Sequence, residues 1–413
     1  MLNILRASRD LRFAVVGRSV SAFGDGVALV ALILRFQAHG AQPYQIGLLM
    51  GAGGIPQLLL AGRIGRFVDS HDSRPLLVCG GATAAAVTVP LIFLHTIVPV
   101  LLLVVALGAA SSVTGATWSA LVPRMAGEER VAEAVAAQQS LSALVLVAAP
   151  AAGGVLAGVF GTGVPLAIDA VTFAVMTGAA ALVRTRRSPR GVDDATANDN
   201  SGGFAILRAD QILGPLLAGV AVVILLVAMA DVVLVFLVRE TLHAGGAWYG
   251  VAEASWMAGM VAGSLGGGRF AGERGQVRAT VGGIGLCCVS VAGFAAAPSV
   301  VVLVPVAVLG GIGNGYAATC LSTLLMTRTS ESARGRVSAA SGAVLSGAQG
   351  SALVLGSCLA TVLHPRAIYA LAGSLGLVAA GALAIMTGDE RTTAPISAPA
   401  REVQLGEPAP PRP

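Results

Sequence analysis

The chain has 413 residues, 55% of them hydrophobic and only 11% charged, with a mean hydropathy of +0.81 and a net charge of +5. Soluble domains carry about a quarter of their residues as charges, so this composition excludes a water-soluble globular fold and points to a lipid bilayer. All 26 basic residues are Arg and lie mostly between apolar runs, so the positive balance describes a membrane face and not a nucleic-acid site.

Apolar runs long enough to cross hydrocarbon as helices, about 17 to 25 residues, recur twelve times. The first six are Phe13 to Phe36, Tyr44 to Gly62, Pro75 to Thr96, Pro99 to Val122, Ala137 to Phe160 and Val164 to Val183. The second six are Ile212 to Val238, Trp248 to Gly268, Ala279 to Ala297, Val300 to Met326, Ala339 to Thr361 and Ala367 to Met386. They predict an all-α polytopic membrane protein of twelve transmembrane helices in two six-helix pseudo-repeat bundles. The divisions are a basic N-terminal segment 1–12 on the cytoplasmic leaflet, a bundle 13–183, a cytoplasmic linker 184–211, a bundle 212–386 and a disordered cytoplasmic tail 387–413. Nothing before Phe13 reads as a cleavable signal.

Between the second and third runs lies a polar island, Gly65-Arg66-Phe67-Val68-Asp69-Ser70-His71-Asp72-Ser73-Arg74. Its Gly-Arg-Phe start returns at Gly268, Arg269 and Phe270, 203 positions later and about half the chain away. Equal halves in a strongly apolar chain mark transporters built from two related bundles with a site between them. Arg clusters in the tails and alternate connections place both termini in the cytoplasm, with Arg35, Arg239 and Arg366 on the outside.

The polar island resembles the loop motif between helices 2 and 3 of the major facilitator superfamily, and the two bundles joined by a basic linker resemble that family's layout over essentially the whole chain. Within it, Ser21-Ala22-Phe23-Gly24-Asp25-Gly26, Ala120-Leu121-Val122-Pro123, Ile168-Asp169-Ala170-Val171-Thr172-Phe173 and Arg334-Gly335-Arg336-Val337 resemble the bacterial drug-efflux and secretion subgroup, which includes the enterobactin exporter and macrolide efflux pumps. The resemblance implies a gating loop made of Gly65, Arg66, Asp69, Asp72 and Arg74, with Asp69 and Arg74 in a charge relay that closes the cytoplasmic side. Ser70 and Ser73 replace basic residues of the family motif, and Asp72 replaces a Gly.

An ionisable side chain inside hydrocarbon costs several kcal/mol unless paired or wet, so each one is a functional candidate. Asp25 in the first run and Asp231 in the seventh occupy corresponding helices of the two halves and are candidates for proton or substrate work, the alternative being a helix–helix hydrogen bond. Arg18, seven residues before Asp25 and on nearly the same face, either holds Asp25 ionised or snorkels to headgroups. Asp169 and Glu253 sit near outer span ends, where interface or packing roles are expected. Asn314, Gln138, Gln139, Gln349, Trp118, Trp256 and Tyr316 are candidate cavity residues, whereas Trp248 and Tyr249 are expected as interfacial anchors. In the fifth run Pro150, Gly153 and Gly154 resemble an antiporter helix element and predict a hinge or a close helix contact.

The five cysteines lie inside apolar runs without ligand spacing, so no metal, cofactor, disulfide framework or enzymatic site is expected. The expected function is proton-coupled efflux of an amphipathic small molecule, a drug, antibiotic or siderophore, across a bacterial-type plasma membrane by a monomer. A uniporter or importer, or a transport-dead sensor or assembly partner, are the alternatives.

Overall fold

The computed structural model describes residues 8–127, 130–185, 201–267, 272–330 and 333–388. The repeat residues Gly268, Arg269 and Phe270, most of the expected linker and the expected tail beyond Gly388 lie outside the described residues. Among the described residues there are helices and turns and no strand.

In chain order span 1 is Arg9–Ala38, span 2 is Pro43–Ala52 continued by Ile55–Ser70, span 3 is Ser73–Leu91 and span 4 is Ile97–Ala126. Span 5 is Val131–Phe160 and span 6 is Gly163–Leu182. Span 7 is Leu213–Asp231 followed, after a break, by Leu234–Phe236 and a π turn Leu237–Thr241. Spans 8 to 12 are Gly246–Gly267, Gly272–Ala296, Val300–Arg328, Arg334–Leu359 and Pro365–Gly388. Ten of these helices are by themselves long and apolar enough to cross a membrane. Span 2 reaches that length only as two pieces, and span 8 is diluted by glycines, two Trp and Glu253. Large apolar side chains such as Leu59, Phe93, Leu265, Val362 and Ile385 lie on the outside at 72% exposure or more. Such a surface suits acyl chains, and water would drive it to aggregate.

Several boundaries differ from the sequence expectation, each for a local reason. Span 1 begins at Arg9 and not Phe13, because Ser8 caps it, its Oγ accepting from the Leu11 N–H at 3.3 Å. Asp10 Oδ2 then accepts from the N–H groups of Arg184 and Thr185 at 3.0 and 2.7 Å, tying the start of span 1 to the end of span 6. The polar island is largely the last two turns of span 2, which runs to Ser70. Within the expected linker, residues 201–209 form a helix on span 11, seated by buried Leu207.

The packing repeats with a shift of six spans. Span 1 packs on spans 5 and 6, span 3 on spans 4 and 6, and span 2 on span 4; correspondingly span 7 packs on 11 and 12, span 9 on 10 and 12, and span 8 on 10. Across the halves the extensive contacts are span 5 with span 8 and span 2 with span 11, a pairing that the same shift maps onto itself. This is the contact pattern of a pseudo-twofold axis between two bundles.

Candidate functional site

Odd-numbered spans run from the face where span 1 begins, here the near face, to the opposite or far face. The two extensive contacts between halves sit toward the far face and are made by small residues. Gly154 and Gly250 approach so closely that a Cβ on Gly250 would lie 2.3 Å from the Pro150 carbonyl oxygen, and one on Gly154 would lie 2.8 Å from Gly250 Cα. On the other side of the axis Gly47 faces Ser357, where a Cβ would come within 1.8 Å of Oγ. Polar groups continue the seam: Gln37 Nε2 donates to Glu240 Oε1 at 3.1 Å, and Arg239 Nε donates to Gln37 Oε1 at 3.3 Å. The expected close contact at Pro150, Gly153 and Gly154 is present, since a Cβ on Gly153 would also press on Val27 of span 1 at 2.9 Å.

Toward the near face each half carries a cavity. The one in the first half, about 510 Å³, lies among spans 1, 2 and 4, lined by Arg18, Gln57, Gly65, Ser111, Ser112 and Ser119. The one in the second half, about 300 Å³, lies among spans 7, 9, 10 and 11. Its wall is mainly apolar, with Asn314, Ser322, Ser338 and Arg334 as polar points. Span 2 is bent beside the first cavity because Gly53 and Gly54 break it where span 4 arrives: a Cβ on Gly108 would lie 2.1 Å from the Gly53 carbonyl oxygen.

Asp25 lies past the middle of span 1 and is half-buried. Its electrostatic partner is Asp169 of span 6, and not Arg18. Arg18 turns toward span 4 and donates to the Gly115 carbonyl at 3.5 Å. Asp169, expected near water, is fully buried, and its Oδ2 has no partner. Its other oxygen accepts from Thr172 Oγ at 3.4 Å. Gly24 makes the approach of spans 1 and 6 possible, because a Cβ there would sit 2.1 Å from Thr172 Oγ1 and 2.6 Å from Asp169 Oδ1. Two carboxyl groups within electrostatic reach of each other in a medium of low dielectric repel when both are charged.

A second acidic pair lies in the other half. Asp231 and Glu253, on spans 7 and 8, line a small cavity of about 40 Å³ with Trp256, Phe294 and Tyr369. Tyr249, expected at the interface, is instead buried and hydrogen-bonded to Glu253. Sequence reasoning singled out Asp25 and Asp231 and missed their partners. Asp169 and Glu253 were visible as ionisable residues in apolar runs, but linear distance from a span end placed them near water, whereas helix packing buries Asp169 and leaves Glu253 half-buried in a cavity wall.

The other expectations divide. Asn314 lines the larger cavity of the second half and Trp256 the small one, but Trp118 is 1% exposed in the core against Leu11 and Leu121. Arg35, at the far end of span 1, is buried and donates to Thr162 Oγ1 at 2.9 Å and to the carbonyls of Leu91 and Leu94 at 2.7 and 3.0 Å, closing the far end of the first half. In the loop motif Asp72 is the N-cap of span 3, accepting from the Arg74 N–H at 2.9 Å. The Arg74 guanidinium donates to the Ala181 carbonyl at 2.6 Å, so in this state it holds its own half together and does not reach span 11. Gly65 lines the first-half cavity, and Arg66 and Asp69 are exposed.

The family profile of the Major Facilitator Superfamily matches residues 14–340 and again 216–413. Among solved structures, a point mutant of the nucleoside transporter NupG superposes with a TM-score of 0.73 at 12% identity, covering 91% of this chain and 99% of that one. A bacterial homologue of the iron transporter ferroportin, solved in an inward-facing state, gives 0.72 at 15% identity, covering 92% and 98%. A bacterial homologue of the human lysosomal transporter Spinster, inward-facing and unoccupied, gives 0.62 at 13% identity, covering 92% and 95%. At these identities the likeness concerns the fold. The curated proteins give no match.

Proposed function

Since the chain belongs to the major facilitator superfamily, a family of membrane transporters, we propose that it exports an amphipathic small molecule, a drug, antibiotic or siderophore, in exchange for protons. The near face is cytoplasmic in this proposal, because Arg residues crowd the connections on that side, and the protein works in a bacterial-type plasma membrane as a monomer. The state described is then open inward: the halves are sealed at the far face and carry their cavities toward the near one. A mainly apolar wall with Asn314 and a few hydroxyl groups suits a weakly hydrated molecule better than a sugar or phosphate, which would require dense polar contacts.

The observation that carries the coupling is the Asp25–Asp169 pair with its orphan oxygen and, among the described residues, no basic partner. Such a pair binds a proton readily when closed off and releases it when water reaches one member. Asp25 is the proton carrier here and Asp169 the group that keeps a proton at the site. Asp69 of the loop motif serves the near-face closure of the opposite state. Uptake of substrate into everted vesicles under an imposed pH gradient tests the proposal. Asp25→Asn should abolish gradient-driven accumulation while leaving substrate binding measurable, and Asp231→Asn should give only a partial defect. Accumulation by Asp25→Asn against a substrate gradient would remove Asp25 from the coupling step.

A further inference from the structure

The small cavity of the second half has a composition that proton transfer does not require. Asp231 and Glu253 both line it, and none of the described side chains around it is basic. Tyr249 bonds to Glu253 from beside it. Tyr369 lines it too, is 2% exposed and has a hydroxyl without a hydrogen-bond partner among the described residues. A buried phenol with an idle oxygen is costly in a helix bundle and points to an occupant that would use it.

The backbone adds a second feature. The helix Leu213–Asp231 ends at Asp231 itself, and the Val232 and Val233 N–H groups both turn back to the Ala230 carbonyl. The cavity lies against the side of this interruption, with Val227, Asp231 and Leu234 of span 7 in its wall. Discontinuous helices in transporters commonly border coupling-cation sites. The volume, about 40 Å³, suits a bare ion with a water or two and is far too small for an amphipathic molecule. Trp256, Phe294 and Tyr369 pack edge-on and tilted in its wall, with ring centroids 6.3 and 5.2 Å apart.

We propose that this cavity binds one small monovalent cation of sodium size, held by the carboxylates of Asp231 and Glu253 and the Tyr369 hydroxyl, beside the break in span 7. The three donors are hard oxygens, the class such an ion prefers, and the one sulfur in the lining is the Met257 thioether, a ligand for softer metals. The site is separate from the Asp25–Asp169 pair, so its test requires neither substrate nor a pH gradient.

The full chain, purified in detergent, is unfolded thermally in sodium chloride or in choline chloride at equal ionic strength, and sodium binding is titrated calorimetrically. Sodium should raise the midpoint saturably and choline should not. Asp231→Asn should abolish the sodium response. Tyr369→Phe, which keeps the ring and loses only the idle hydroxyl, should still fold and should weaken sodium binding by about tenfold, the scale of one lost ligand contact. Equal midpoints in sodium and choline, or a sodium response of equal size in the wild type and Tyr369→Phe, would overturn the assignment and leave the pair as proton-bearing acids. Failure of this test leaves the Asp25 proposal standing, and failure of that one leaves the cation site standing.

Discussion

A single hydrogen atom in place of a side chain decides what Asp169 can do. Gly24 lets span 6 lie against span 1, so the carboxyl of Asp169 is fully buried within reach of Asp25. In Gly24→Ala the added methyl would overlap Thr172 Oγ1 at 2.1 Å and Asp169 Oδ1 at 2.6 Å, with the Asp169 backbone at 3.1 Å leaving no room to retreat. Overpacking of this kind costs roughly 1–3 kcal/mol, so Gly24→Ala should unfold at a lower temperature in detergent than the wild type. Adding Thr172→Ala removes the nearest of the three contacts and should recover part of the loss. An unchanged midpoint in Gly24→Ala would mean that spans 1 and 6 are not pressed together there. None of this was legible in the sequence, where Gly24 is one of 54 glycines. Asp25 was legible, because an acid in the middle of an apolar run has few bland explanations.

At the scale of helices, the spans were legible from apolar run length, and so was their pairing into halves. Their interruptions were not. Gly53 and Gly54 read as ordinary small-residue packing until span 4 is seen to arrive at the Gly53 carbonyl, and the break after Asp231 falls in a run of Val and Leu that shows no breaker at all. The element around Pro150 was partly legible: small residues promised a close contact, but not that its partner would be span 8 of the other half. That partner makes a prediction possible. Gly250→Val would drive side-chain atoms into the Pro150 carbonyl, which a Cβ alone already meets at 2.3 Å. Only the state with the far face closed suffers, so the population should move toward the far-open state. A cysteine at Ser357, now 6% exposed against Gly47 on the other side of the axis, reports the shift. Thiol labelling of Ser357→Cys from the far side should rise when Gly250→Val is added. Equal labelling with and without Gly250→Val would show that the span 5 and span 8 contact does not govern closure.

For the whole molecule, the pseudo-twofold packing means that one rigid rotation of the halves can exchange the sealed face. The seam at the far face is polar at its rim: Gln37 of the first half holds Arg239 and Glu240 of the second. Exposed contacts of this sort each contribute little energy, which suits a seam that must open in every cycle. The glycine contacts below them supply the close fit. If export requires the seam to part, joining Gln37→Cys to Glu240→Cys with a short bifunctional thiol reagent should stop turnover. The native cysteines would first be replaced by alanine. The same linked protein should keep its near face open, so a third cysteine at Ser119, which is exposed and lines the first-half cavity, should label at the rate of the unlinked protein. Cleaving the linker should restore transport. Full-rate transport with the linker in place would show that substrate leaves without separation of Gln37 from Glu240, and the alternation would then have to be sought along the span 2 and span 11 contact alone.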